Sequence, residues 1–423
     1  MSQSSLSPGA VPQSENHGWR VAFAGTGINL ALGVLYTWSL FKGAIEQQFG
    51  WKGSQLNDPY ALCCVVFALT MIAAGRCQDR FGPRVTASIG GLLIGAGLVL
   101  ISRSDSYAMW LLGFGVLVGI GIGFGYSSAT PPALKWFPPA RTGLITGIVV
   151  SGFGLAPVYL APLSQYFLGH YGLANSMLIF GIAFFVAVCG LAQLLKNPPP
   201  GYSPLRAAPA PPASASTLSG KPATDAGNLS PSQILVNPMF YLLWVIYFIG
   251  AGAGLMVISS MSGMAKKSMG NLAFFAVAIM AIGNAGGRIM AGVLSDKIGR
   301  SRALALVLSF QAVLMFLAIP LTSAQGTSPA VIVTLAAMIG FNYGANLSLF
   351  PSLAKDFWGL KNFGMNYGIL FTAWGAGGFA LSRLQQMLTA SSGGSFQSSF
   401  IVAGSLLAVG AVLSLGIRKQ WKS

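Results

Sequence analysis

"GNAGGRIMAGVLSDKIGR" (residues 283–300) joins an apolar run to a short charged turn and sets Arg288 inside the apolar part. Its surroundings decide what kind of protein this is. The chain of 423 residues is 54% hydrophobic and 8% charged, whereas a soluble globular protein carries about 25% charged residues. Apolar runs of the length that crosses a hydrocarbon core as a helix recur throughout. They predict twelve spans, near 19–41, 57–78, 85–103, 108–131, 143–166, 174–195, 239–260, 271–293, 302–323, 329–350, 364–388 and 398–417. The 55 glycines suit such a bundle, because small residues let helix backbones approach closely in lipid. The expected fold is an all-α membrane protein.

A net charge of +16 would suit a nucleic-acid binder, but the charges sit elsewhere than such a protein needs. With the N-terminus inside, most of the 24 Lys and Arg fall in cytoplasmic segments, among them Arg76, Arg80, Arg84, Arg141, Lys297, Arg300 and Arg302. The opposite face receives Lys42, Lys52, Arg103, Lys266 and Lys267, while Arg288 and Arg383 lie within spans. That bias predicts a multi-pass protein of the cell (inner) membrane with both termini cytoplasmic. No nucleic-acid partner is expected. Cys63, Cys64, Cys77 and Cys189 show no metal-ligand spacing, so no metal or cofactor is expected. The segment from Met1 to Gly18 lacks a basic stretch followed by an apolar one, and no cleaved leader is expected.

The end of the opening stretch echoes an earlier one. "GRCQDRFGPR" (75–84) follows the second span and "GVLSDKIGRSR" (292–302) the eighth. One constant offset along the chain carries Gly75 onto Gly292, Asp79 onto Asp296, Arg80 onto Lys297 and Gly82 onto Gly299. A shared G-x-x-x-D-[RK]-x-G at the same place in each half implies two six-helix units, the build of secondary transporters. The expected organisation is an N-terminal half (1–196), a Pro-rich cytoplasmic linker (197–236) and a C-terminal half (237–423). "GIGIGFGY" (119–126) has the glycines of a dinucleotide loop, but it lies inside an apolar span, where helix packing is the better reading.

Twelve spans, a long central loop and this doubled motif resemble the major facilitator superfamily. The resemblance implies that Asp79, Arg80, Arg84, Asp296, Lys297 and Arg300 gate the inward and outward states. Topogenic cations beside a helix cap are the alternative. Local runs resemble two related branches, the oxalate/formate exchangers and the monocarboxylate transporters. They are "GVLYTWSLF" (33–41), "GFGYSSATPPALKWFPPARTGLITGIVVSGFGLAP" (123–157), "NYGANLSLFPSLAKDFWG" (342–359) and "MNYGILFTAWGAGG" (365–378). "ENHGWR" (15–20) is a fainter likeness to the start of the animal monocarboxylate transporters.

Arg288 carries the functional argument. A charge at bilayer depth costs about 2.5 kcal/mol or more and needs a partner or a wet cavity. All eight acidic residues fall in loops, tails or span edges. The guanidinium is therefore free for a visiting carboxylate, whose two oxygens match its planar fork. The alternatives are snorkelling to an interface or bonding the backbone carbonyls of a broken helix. Both branches carry an arginine eight residues before the motif Asp, and Arg288 stands eight before Asp296. Arg383, near an outer end, reads as snorkelling.

Asn284 is one turn before Arg288 on the same face. Where it stands, animal monocarboxylate transporters have an Asp associated with proton handling, so that part of their mechanism is not carried over. In the oxalate exchanger a lysine eight residues after the N-Y-G asparagine supplies a second cation, and eight after Asn366 is Trp374. One cation with an aromatic neighbour implies a monoanion with an apolar tail. By resemblance, Leu35, Tyr36, Tyr126, Tyr343, Phe153 and Phe371 fall at pocket positions, and Leu347 replaces an aromatic. Core packing is the alternative for each ring.

The expected function is secondary active transport of a small monocarboxylate such as lactate or pyruvate, by alternating access of a monomer. Proton symport is the favoured coupling, with the proton on the substrate or on Asp79, Asp296 or Asp356, since His17 and His170 lie outside the spans. Anion exchange, an anion channel and a non-transporting anion sensor are the rivals. The chain has no nucleotide-binding loop and no catalytic constellation, so no enzyme activity is expected.

Overall fold

Backbone amides find no water in hydrocarbon, so a chain this apolar must pair them within its own helices. The computed structural model describes residues 17–52, 55–202, 204, 228–269, 273–323, 328–392 and 395–417, and among these every long element is a helix. In order they are α1 (Gly18–Phe49), α2 (Asp58–Phe81), α3 (Pro83–Ser102), α4 (Tyr107–Trp136), α5 (142–171), α6 (173–192), α7 (Pro238–Met269), α8 (Ala273–Ile298), α9 (Arg300–Ser323), α10 (Pro329–Trp358), α11 (Phe363–Ser391) and α12 (Gln397–Leu415). The twelve expected spans are thus twelve long helices.

Three details depart from the expected spans. α1 is interrupted by a 3-10 turn at Gly33–Thr37, and α4 contains a π-helical stretch, Leu111–Val118. α5 and α6 join without a loop, folding back at Gly172 with φ 71°. Among the described residues, ten helical segments are long and apolar enough to cross a membrane, the joined α5 and α6 counting once. α11 is long but more polar. It carries Asn366, Tyr367 and Trp374 toward the interior, and all three are buried.

The surface inverts that of a soluble protein. Phe23, Leu92, Met290 and Val412 are exposed, as lipid-facing side chains must be, while Asn29, Gln311, Asn346 and Arg288 are buried. Glycine sets the closeness of packing where position matters most. β-carbons at Gly283 and Gly287 would strike the carbonyls of Ala337 and Phe341 on α10, and one at Gly344 would strike the carbonyl of Asn284 on α8. α8 is thereby clamped to α10, and its polar residues are held at a fixed depth.

The two halves meet chiefly where α5 packs on α8 and α2 on α11. Both contacts use the doubled motif. Its first glycine permits the approach: Gly292 abuts Gly143, and Gly75 abuts Gly364. Its last glycine turns the chain, Gly82 and Gly299 having φ of 85° and 92°, a region that favours glycine.

Most of the Pro-rich linker, including 205–227 with Arg206 and Lys221, lies outside the described residues, as do both termini (1–16 and 418–423) and the side chains of Lys266 and Lys267. Its flanks are tied down. Trp136, at the end of α4, donates to the Lys196 carbonyl (2.7 Å), and Tyr202 donates to the Trp136 carbonyl (3.3 Å). Beyond the linker, Leu229 N–H donates to the carbonyl of Trp358, which ends α10 (3.0 Å), and the Leu229 carbonyl accepts from Asn362 and Asn366 (3.1 and 3.0 Å). A Ser230–Gln233 capping box then starts a one-turn helix, Pro231–Leu235.

Candidate functional site

Arg288 is wholly buried on α8. Its Nε donates to Asn284 Oδ1 at 2.8 Å, one turn back on the same helix. Its Nη1 donates across the seam to the Val150 carbonyl of α5 (2.5 Å). That reach is possible because Gly147 lets α5 lie against the backbone of Arg288 itself. Nη2 has no hydrogen-bond partner. The ion pairs among the described residues involve Arg300 and Lys355, and none involves Arg288. Backbone bonding, one of the alternatives for this arginine, is thus realised at one nitrogen only. Snorkelling is not, whereas Arg383 is exposed and packs over Phe379.

The guanidinium faces a small cavity between the halves. Tyr36, Tyr126, Phe153, Leu347, Phe371 and Trp374 line it, together with Phe67. Tyr36 meets Phe153 edge-on (5.0 Å), Phe67 lies tilted to Phe371 (5.0 Å) and edge-on to Trp374 (5.4 Å), and Phe371 stacks on Trp374 (5.1 Å). Tyr343 stands just behind this wall. Its hydroxyl accepts from Trp374 Nε1 (2.9 Å) and lies 3.0 Å from the Tyr36 hydroxyl. Asn284 is not in the wall and acts through Arg288. Leu35 is buried in the core of the 3-10 turn and does not reach the cavity, because its neighbour Tyr36 takes the inward direction.

Phe67 and the Val150 carbonyl escape a reading of side-chain motifs, yet the repeat contains a signal for the first. The offset that relates the two motif copies also carries Phe67 onto Asn284, Tyr126 onto Tyr343 and Met71 onto Arg288. No two residues of the lining are related by that offset, so the halves contribute unlike positions to the cavity, and the cation comes from one half only.

At the motif-bearing end of the bundle, two carboxylates cross the seam in opposite directions. Asp79 accepts from the backbone N–H groups of Gly364 and Met365 (3.0 and 2.9 Å), at the start of α11. Asp296 accepts from those of Gly143 and Leu144 (both 2.9 Å), at the start of α5. Each satisfies donors that a helix start leaves open and meets its positive dipole end. Asp296 is further held by Arg300 (2.7 Å), which also bonds Asp356 (2.9 Å). The other motif cations are not at the seam. Arg84 donates to the Leu195 carbonyl within its own half (2.9 Å), Arg80 lies over Phe81, and Lys297 is exposed.

The profile of the family described as Major Facilitator Superfamily matches residues 21–382 and 275–420. The chain is 32% identical over 357 residues to an uncharacterized MFS-type transporter, YhjX, of Escherichia coli K12, covering 82% of each. It is 27% identical over 348 residues to the oxalate:formate antiporter of Oxalobacter formigenes, covering 81% of this chain and 77% of that one. Among solved structures, the proton:xylose symporter XylE superposes with a TM-score of 0.70 at 14% identity, covering 95% of this chain and 96% of that one. With its twelve helices in two halves and its seam closed by the doubled motif, the chain belongs to the major facilitator superfamily.

Proposed function

We propose that this protein is a secondary active transporter of small monocarboxylates of the lactate and pyruvate class, working by alternating access as a monomer in the cell membrane. The observation that carries the reading is Arg288 Nη2, a buried donor without a partner that belongs to the one formal charge on a small aromatic cavity. A carboxylate supplies the missing acceptor and the counter-charge together. The surrounding rings and Leu347 fit an apolar tail and offer nothing to a second carboxylate, whose unpaired burial costs several kcal/mol. Arg288 pairs with the carboxylate, Asn284 fixes the guanidinium, and Tyr36 and Tyr126 bring hydroxyls to the wall. Rocking of the halves around this point would break the Arg288–Val150 bond and the Asp79 and Asp296 latches in turn.

Proton symport is the proposed coupling. Carrying an uncompensated anion across 100 mV involves about 2.3 kcal/mol, which a co-transported proton removes. Anion exchange is the second reading, favoured by the lack of any Asp, Glu or His among the residues lining the cavity. Purified protein in proteoliposomes, supplied with labelled L-lactate or pyruvate, tests the reading. Saturable uptake that an excess of the unlabelled acid accelerates from the far side supports a carrier. Unsaturated conductance would make the protein a channel, and binding without flux a sensor. Oxalate taken up as readily as lactate would refute the single-cation argument.

A further inference from the structure

The hydrogen bonds behind the cavity wall have a direction, and it bears on which acids fit. An indole N–H only donates, so the bond from Trp374 Nε1 makes the Tyr343 oxygen an acceptor. The Tyr343 and Tyr36 oxygens, 3.0 Å apart, share one hydrogen between them. If Tyr36 donated, Tyr343 would accept twice and its own hydrogen would have no partner among its hydrogen bonds. The order Trp374 to Tyr343 to Tyr36 pairs both the oxygen and the hydrogen of Tyr343 and leaves the one unmatched hydrogen on Tyr36, at the cavity it lines. The strong acceptors nearby, Asn284 Oδ1 and the Val150 carbonyl, take Arg288 Nε and Nη1 and are not part of the cavity lining. What remains for a ligand is a set of donors, Arg288 Nη2 and the Tyr36 hydroxyl, with phenol oxygens as the only weak acceptors.

We infer that the Trp374–Tyr343–Tyr36 relay aims a hydroxyl donor at the substituent next to the substrate carboxylate and so selects 2-oxo monocarboxylates over 2-hydroxy monocarboxylates. The inference rests on the monocarboxylate reading above and narrows it. A 2-oxo acid presents only acceptors, a carboxylate for Arg288 and a keto oxygen for Tyr36. A 2-hydroxy acid brings an O–H that must be buried without a strong acceptor, and an acid with no 2-substituent leaves the Tyr36 O–H unmatched. Tyr36 is the group that touches the 2-substituent, Tyr343 is a positioning residue, and Trp374 lines the cavity with its ring while its N–H orients Tyr343.

The test is competition by unlabelled pyruvate, L-lactate and acetate against labelled pyruvate uptake in proteoliposomes, for wild type, Tyr36→Phe and Trp374→Phe. In the wild type, pyruvate is expected to inhibit at about one-tenth the concentration of L-lactate or acetate. Tyr36→Phe is expected to reduce the pyruvate-to-lactate ratio from about ten to about two, and Trp374→Phe, which keeps the ring and loses the N–H, to an intermediate value. Equal inhibition by pyruvate and lactate in the wild type, or a full preference surviving in Tyr36→Phe, overturns the inference. Should either variant fail to fold, the wild-type ratio decides. Uptake that depends on Arg288 but favours lactate sinks this inference alone, whereas no uptake or inhibition by any of the three acids sinks it together with the monocarboxylate reading.

Discussion

At the scale of single residues, Arg288 and its helix neighbour set the charge of the site. Asn284 occupies the position where an acid would neutralise the guanidinium from within, and its Oδ1 already touches Nε. Asn284→Asp is therefore expected to weaken monocarboxylate affinity at pH 7 by tenfold or more. Acid restores it, because protonating the introduced carboxylate releases the arginine. Inhibition constants measured across pH check this, and an unchanged affinity at pH 7 contradicts it. Trp374→Lys places a second cation against the cavity, and measurable oxalate uptake is expected where the wild type shows little. Arg288, Trp374 and the tyrosines were legible because charge, spacing and local runs mark them. The Val150 carbonyl was not, since a backbone oxygen leaves no signature in sequence, and Leu35, placed at the pocket by resemblance, lies in a 3-10 turn and is not part of the cavity lining.

At the scale of helices, the seam depends on two glycine contacts and two carboxylate caps that are alike in backbone geometry and unlike in charge. Asp296 is ion-paired with Arg300, while Asp79 has no ion pair among the described residues. Removing Asp296 leaves Arg300 with a missing partner as well as uncapping α5, so Asp296→Ala is expected to loosen this end more than Asp79→Ala. Loss of a helix cap alone is worth about 0.5–2 kcal/mol. Labelling rates of cysteines introduced at Leu144 and Met365 measure the opening at each contact. Equal labelling in the two variants contradicts the asymmetry. The doubled motif made both contacts legible, because its two copies stand at equal positions within their halves. The fold-back at Gly172 and the π stretch in α4 were not, because apolar runs locate a span without fixing its register or its breaks.

At the scale of the whole molecule, hydropathy and charge bias predicted twelve spans, and twelve long helices are present. α11 stands out as too polar to satisfy composition alone, for the reason that makes it useful: it contributes Phe371 and Trp374 to the cavity. The linker flanks at Leu229 are tied to the α10–α11 turn, beside the backbone groups that hold Asp79. The coupling belongs to this scale too. Symport predicts net pyruvate uptake into empty vesicles, accelerated when the outside is acidic, whereas strict exchange requires vesicles preloaded with a monocarboxylate. Uptake that is absent from empty vesicles at every pH gradient would replace symport with exchange.

The central claim is that a guanidinium held between the halves awaits the carboxylate of its cargo. The most direct measurement is the kcat/KM of labelled pyruvate uptake for wild type and Arg288→Lys at matched incorporation into vesicles. Lysine keeps the charge but offers three hydrogens on one nitrogen in place of the planar, five-donor fork that spans Asn284, Val150 and a carboxylate. A hydrogen bond to a charged group is worth about 1.5–3 kcal/mol, so the account predicts a fall of about tenfold to a hundredfold. Uptake within about twofold of the wild type would contradict it.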